Sequence, residues 1–485
     1  MRRRRQMKVE GKELQSAKCK RQKAKWKIVL TFIIAILTWN ITFALDTLVL
    51  DPEKVIELAL KNNYSIQVNK EKVLEAAAGK GVAFGSFLPQ VSLSGSYTRL
   101  GTLNEFEMVT PIYKRLPLRV YDPQTGQIIG FTDSIPLAVG ADTLSIPMGS
   151  QNNYLLRGTI QQTIFTWGKL INAYRIAGLG LKMQEAVYEQ ARQQTKVQAL
   201  EAFYQALLAQ RSKELLKESY EQLKRHVEQA ERLYDEGLAT RLDLMRARVS
   251  LTNMANQVEQ VEQGARLALA ALLNVIGIPQ ETVVILKSEL KEESVAIAPD
   301  SAVAMALKNR PELLQLRQAL RMAELGVRIS RTANLPTLFA AANYDYKKPL
   351  GFQDRWGKDW NATIGVSLPL FTGGANLNKL KQAQSKYRQA FLSLKMVEDA
   401  IKLEVEAALV ALNQERKNIT YQKENVNLAE EAFRLAEERY QNGLLSNLEF
   451  LDIQLQLTQS RVAHLNALAN YQIARARLLR AIGEF

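Results

Sequence analysis

The stretch Leu200–Tyr234, LEAFYQALLAQRSKELLKESYEQLKRHVEQAERLY, decides the architecture. Its apolar residues fall at Leu200, Phe203, Tyr204, Leu207, Leu208, Leu215, Leu216, Tyr220, Leu223, Val227, Ala230 and Leu233. Spacings of three and four place them on one stripe of a helix. No proline occurs from about Lys169 to Asp235. At about 1.5 Å per residue, some 66 helical residues span about 100 Å, too long for a globular core element. A helix of that kind belongs to a coiled coil or helical bundle. A second stretch without proline runs from about Ala375 to Gln441.

These two stretches belong to an internal duplication. Phe165, Thr166, Gly168, Tyr234, Gly237, Leu242, Leu251, Thr252, Leu272, Leu273, Ile276 and Gly277 recur 206 residues later, as Phe371, Thr372, Gly374, Tyr440, Gly443, Leu448, Leu457, Thr458, Leu478, Leu479, Ile482 and Gly483. Upstream, LALKNN near Leu60 matches MALKNR near Leu307, Pro89 matches Pro336, and Tyr97 matches Tyr344, all offset by 247. The first copy therefore carries about 41 extra residues between Tyr97 and Leu155, read as a long loop with a possible hairpin around the turn PQTG at 123–126. Each copy reads as a short helix (about 52–62; 300–309), a second helix (64–87; 311–334) stopped by a proline, two strands, and a long helical hairpin.

The strands alternate. Val91, Leu93, Gly95 and Tyr97 oppose Ser92, Ser94, Ser96 and Thr98; similar patterns cover 154–164, 338–346 and 362–370. Alternation alone fits a soluble sandwich as well. Strands of about ten residues beside long helices, in an exported chain, favour a transmembrane β-barrel. Four strands cannot close such a barrel, because the smallest have about eight. The barrel must be shared between chains, since an open edge in lipid leaves backbone groups unpaired.

Composition supports export. The 485 residues include 64 Lys plus Arg, 49 Asp plus Glu, one Cys and two His, for a net charge of +15. That charge would fit nucleic-acid binding if it were spread along the chain. Instead, twelve Lys or Arg and two Glu lie in residues 1–44, all ahead of the apolar run Ile28–Leu37. A basic segment followed by a short apolar core reads as a signal peptide cut after Ala44. The remainder carries 52 basic and 47 acidic residues and no cysteine. The alternative is an uncleaved anchor, for which the apolar run is short. The lone Cys19 excludes a disulfide framework. The expected division is 1–44 signal peptide, 45–285 first repeat and 286–485 second repeat.

No bond chemistry is legible. His226 and His464 lie on long helices without metal-ligand spacing and read as surface residues. Gly79, Gly81 and Gly85 do not form GxGxxG, and no GxxxxGK occurs. No enzyme activity, cofactor, metal or nucleic-acid partner is expected. Glu449 and Asp452, three apart on a returning helix, share a face.

The chain resembles the TolC-like outer-membrane efflux proteins from about residue 46 to 485. The most specific matches are YDEGLATRLDL (Tyr234–Leu244), YQNGLLSNLEF (Tyr440–Phe450), and FTWG (165–168) with its partner FTGG (371–374). The resemblance implies a mainly α protein with a small transmembrane β-barrel part. A homotrimer completes 12 strands in outer-membrane lipid and a helical tunnel in the periplasm. It implies a passive conduit in a tripartite efflux pump or a type I secretion system. The partners would be a periplasmic adaptor and an inner-membrane transporter. The alternative is a secreted structural coiled-coil protein with a small β domain. Glu449 and Asp452 match the family's pore constriction; six carboxylates from three copies would attract cations and raise one another's pKa. Asp243 and Tyr440 match a closed-state tether. The family's second tether pairs an Arg with a Thr, and here those positions are Leu445 and Leu242. Arg246 stands where the first copy matches Asp452. Gly237, Leu238, Leu242, Gly443, Leu444 and Leu448 form the expected adaptor-docking tips.

Overall fold

The computed structural model describes residues 48–292 and 298–485. The expected signal peptide at 1–44 lies outside the described residues. The chain divides into two compact units.

One unit gathers residues up to Val68, Gln190–Arg310 and Ile401–Phe485. Strand β1 (Leu48–Leu50) leads into helix α1 (Pro52–Asn62). The Asp51 side chain accepts a hydrogen bond from the Lys54 amide, and Pro52 supplies the first-turn φ. β1 pairs in parallel with β8 (Val284–Leu286). The expected repeat boundary after 285 therefore cuts through a paired strand. This unit holds the C-terminal part of helix α3 (Lys169–Asp235), with the returning helix α4 (Arg241–Ile276). It also holds α5 (Pro299–Asn309), part of α7 (Ala375–Gln441), and α8 (Asn447–Ile482). Both long helices have 67 residues and both returning helices 36. Each pair starts 206 residues apart, the offset of the sequence repeat.

The stripe that opened the sequence reading is the wall of this unit's core. Phe203 and Leu207 are fully buried with Leu50, Val55, Leu272, Leu273 and Ile276. The two returning helices end alike. Gly277 (φ +68°) and Gly483 (φ +78°) stop α4 and α8 in the left-handed region. A Cβ at Gly277 would stand 2.8 Å from the Asn62 carbonyl oxygen, and one at Gly483 2.9 Å from Asn309 Cβ. Only glycine satisfies both the backbone twist and the close approach.

The other unit spans Asn69–Glu189 and Pro311–Ala400. It contains most of α2 (Tyr64–Gly85) and α6 (Pro311–Arg331). Its antiparallel sheet has the order β10 (Gly357–Ser367), β9 (Thr337–Lys348), β7 (Asn152–Phe165), β2 (Gln90–Arg99). β10 stops at Ser367, short of the expected 370, because Pro369 has no amide to donate. β2 and β10 are the two edges.

One face of the sheet is apolar and exposed: Val91, Leu93, Leu156, Ile160, Trp360, Ile364 and Val366. The other is polar. Arg157 donates two bonds to the Asp345 carboxylate, at 2.7 and 2.8 Å. Thr159 Oγ1 bonds Asn343 Oδ1 at 2.8 Å, and Asn343 Nδ2 donates to Asn361 Oδ1 at 3.0 Å. Tyr97, Tyr154, Trp356 and Tyr346 form a chain of ring contacts with centroids 4.9–5.6 Å apart. Amphipathic rings gathered in this way suit a membrane–water interface.

The inserted segment is more ordered than a loop. β3 (Asn104–Leu116) pairs with β6 (Ile135–Met148), and β4 (Arg119–Tyr121) pairs with β5 (Ile128–Phe131) around PQTG. Pro111, Pro136 and Pro147 disguise the alternation, but all three are accommodated in a two-stranded ribbon whose outer edges are free.

Candidate functional site at the hairpin tips

Each tip is built from the same three local devices. A glycine in the left-handed region ends the long helix: Gly237 at φ +75° and Gly443 at φ +71°. The next leucine closes the turn, with Leu238 N bonded to Leu233 O at 2.8 Å and Leu444 N to Arg439 O at 2.9 Å. A hydroxyl then caps the returning helix and an acid answers it. Thr240 Oγ1 accepts from Asp243 N, and the Asp243 carboxylate takes the Thr240 hydroxyl at 2.6 Å. Ser446 and Glu449 repeat the arrangement, at 2.7 Å between hydroxyl and carboxylate.

These caps change the reading of the expected site residues. Glu449 is exposed, and its carboxylate accepts the Ser446 hydroxyl and amide. Those hydrogen bonds lower its pKa within the single chain. Asp452, one turn on, is exposed and lines a cleft of about 170 Å³ with Leu223, Met254, Gln454 and Leu455. Arg246 makes no ion pair with either acid among the described residues.

The expected phenol-to-carboxylate bond between Tyr440 and Asp243 is not formed. The Asp243 carboxylate is occupied by Thr240. It still acts on Tyr440 through its field: burial first, and the nearby carboxylate second, raise the phenol's pKa. Leu238, Leu242, Leu444 and Leu448 are all exposed, the first and third by about three quarters (74% and 75%).

Sequence reasoning misplaced His226 and passed over Asn447. His226 is 5% exposed, not a surface residue. Its ring stacks on Phe450 at 4.5 Å and leans on Tyr440 at 4.9 Å. Its Nε2 lies 2.8 Å from Asn447 Oδ1, and Asn447 Nδ2 donates to the Asp243 carbonyl at 2.9 Å. Because that amide nitrogen points at a carbonyl, Oδ1 is the acceptor and the His226 proton sits on Nε2. Burial lowers the His226 pKa, and the bond to Asn447 offsets part of the fall. His464 is half-buried rather than exposed, and burial and Lys423 lower its pKa. For His226 the available signal was its spacing of three from Leu223 and four from Ala230, at the edge of the apolar stripe; its polar partner Asn447 lies on another helix. Among the described residues, no group of three or more His, Cys, Asp or Glu comes together to hold a metal.

The arrangement is one of two helical hairpins held together at their tips. Comparisons with known proteins point the same way. The chain is 22% identical over 354 residues to the outer membrane efflux protein BepC of Brucella suis biovar 1, covering 72% of this chain and 77% of that one. It is 24% identical over 249 residues to the alkaline protease secretion protein AprF of Pseudomonas aeruginosa, spanning about half of each (50% and 51%). Among solved structures, the Campylobacter jejuni CmeC outer membrane channel superposes with a TM-score of 0.71 at 23% identity, over 89% of this chain and 85% of that one. At that identity the superposition establishes the fold: long helical hairpins with a small β-barrel part. The outer membrane efflux protein family model matches residues 55–278 and 302–484, and on that match this chain belongs to the outer membrane efflux protein family.

Proposed function

We propose that this chain is the outer-membrane duct of a tripartite efflux pump or a type I secretion system. It is a passive conduit located in the outer membrane, with its helical part in the periplasm. The observation that carries this reading is the sheet: four strands, an apolar face, a polar face, and two unpaired edges. Lipid cannot satisfy edge amides, so copies must join β2 to β10 of a neighbour. Three copies supply 12 strands. The polar side then lines the lumen.

The tips form the gated end. Glu449 and Asp452 from three copies surround the axis and select cations. Gly237, Leu238, Leu242, Gly443, Leu444 and Leu448 receive the periplasmic adaptor, and an inner-membrane transporter supplies the energy. Efflux and secretion relatives both occur among the matches, so the cargo class follows from the transporter. Two repeats, 45–285 and 286–485, organise each subunit.

The test is detergent extraction of the full chain from outer membranes, followed by conductance in a planar bilayer. A trimer with small, cation-preferring conductance is expected. The double substitution Glu449→Ala, Asp452→Ala should raise that conductance and abolish the preference. A protein that forms no pores would overturn the duct reading, and an unchanged double variant would overturn the constriction.

A further inference from the structure

The gate of such a duct needs a closed-state hold, and the two side-chain tethers are incomplete here. Leu242 and Leu445 replace the polar pair, and Thr240 occupies the Asp243 carboxylate. Something else holds the second hairpin to the first. Asn447 is the first residue of α8, a position that ordinarily faces water. Its counterpart 206 residues earlier, Arg241, does face water. Asn447 instead is 6% exposed. It stands on the second hairpin, and both of its partners, the His226 ring and the Asp243 carbonyl, stand on the first. Around these bonds, Tyr440 and Phe450 of the second hairpin enclose the His226 ring. Among the described residues, the next polar contact between the hairpins lies about three turns along α8, where Thr458 Oγ1 meets Ser219 Oγ at 3.3 Å.

We propose that Asn447 is the gate-holding residue of this channel, bridging His226 and the Asp243 carbonyl so that the tips stay together until a partner separates them. The inference rests on the duct reading. Separating the hairpins at this level breaks both hydrogen bonds and lifts the His226 ring off Tyr440 and Phe450. The buried amide and imidazole then regain water, so the contact reopens and recloses without refolding either hairpin. Each hairpin keeps its own cap and glycine stop through the motion.

The experiment is single-channel recording of the full-length trimer without partners, comparing wild type, Asn447→Ala, His226→Phe and Arg241→Ala. His226→Phe keeps the ring stack and removes only the donor. Losing one buried bond changes a closed–open ratio by about tenfold. Asn447→Ala and His226→Phe should each raise open probability by about that factor, and the double variant should add little to the larger single effect. Arg241→Ala should leave it unchanged. If wild type conducts and both variants gate like it, Asn447 is not the latch, while the duct reading stands. If neither variant assembles, the contact belongs to folding and the latch is overturned. If wild type forms no pore, the duct reading fails first.

Discussion

The tip at Gly237 and the tip at Gly443 share a glycine stop, a hydroxyl cap and an acid three residues on, yet the first residues of their returning helices differ in surroundings. Arg241 is solvated, and Asn447 is buried against the opposite hairpin. Duplication therefore preserved what the backbone needs locally at each tip, while the side chains that cross between hairpins diverged. A trimer of such a chain has two kinds of tip, so a gate can move one hairpin against the other.

The comparison breaks first at the ends remote from the tips, where the copies should behave alike. Gly277→Ala and Gly483→Ala each force a side chain into the left-handed region and against a backbone or Cβ atom, at a cost of about 2–4 kcal/mol. Thermal or denaturant unfolding of the two variants should give similar losses. Gly237→Ala and Gly443→Ala meet open space, and only the backbone term of about 1 kcal/mol remains. The asymmetry should appear next at the caps' neighbours. Asn447→Ala leaves a buried imidazole N–H and a carbonyl short of a partner and should destabilise by about 1–3 kcal/mol, whereas Arg241→Ala stays within about 0.5 kcal/mol. Thr240→Ala and Ser446→Ala should each cost about 1 kcal/mol, restoring symmetry between the tips.

The smallest effect is the most diagnostic. Burial holds the His226 pKa below its ordinary 6.5 while the tips are together. A depressed folded value means the contact is fully present above the ordinary value and is lost as pH falls through the lowered one. Open probability should therefore rise on acidification below about pH 6.5. His226→Phe should remove that rise. The other groups facing the cluster titrate elsewhere: the Tyr440 phenol is raised and stays neutral, and the hydrogen-bonded Glu449 is lowered. An acid limb that survives in His226→Phe would assign it to groups other than this imidazole.

Much of the fold was legible. The limits Lys169–Asp235 and Ala375–Gln441 follow from an apolar stripe, the absence of proline and a glycine stop, all of them local. The strands fell within a few residues of their observed limits, because period-two alternation is equally local. The segment 104–148 is legible in sequence only as a long loop with a hairpin, since prolines on both strands of the ribbon interrupt the pattern and only pairing reveals them as edge positions. At the tips, the caps are legible in TRLD and SNLE, but only the structure shows the Thr240 and Ser446 hydroxyls engaging the Asp243 and Glu449 carboxylates. The burial of His226 was half legible. It lies three residues from Leu223 and four from Ala230, at the edge of the apolar stripe, but the groups that cover its ring, Tyr440, Asn447 and Phe450, are more than 200 residues away.

The sequence by itself determined the duplicated helices, their stops, the amphipathic strands and the need for more than one chain to close a barrel. Those features depend on periodicity, glycine and proline, whose effects extend over a few residues. Only the tertiary structure decided that Asn447 and His226 meet, that Asp243 lends its carbonyl rather than its carboxylate, and that Tyr440 stacks rather than bonds. Those outcomes depend on which helix faces complete one another's hydrogen bonds and exclude water, and no stretch of local sequence encodes that pairing.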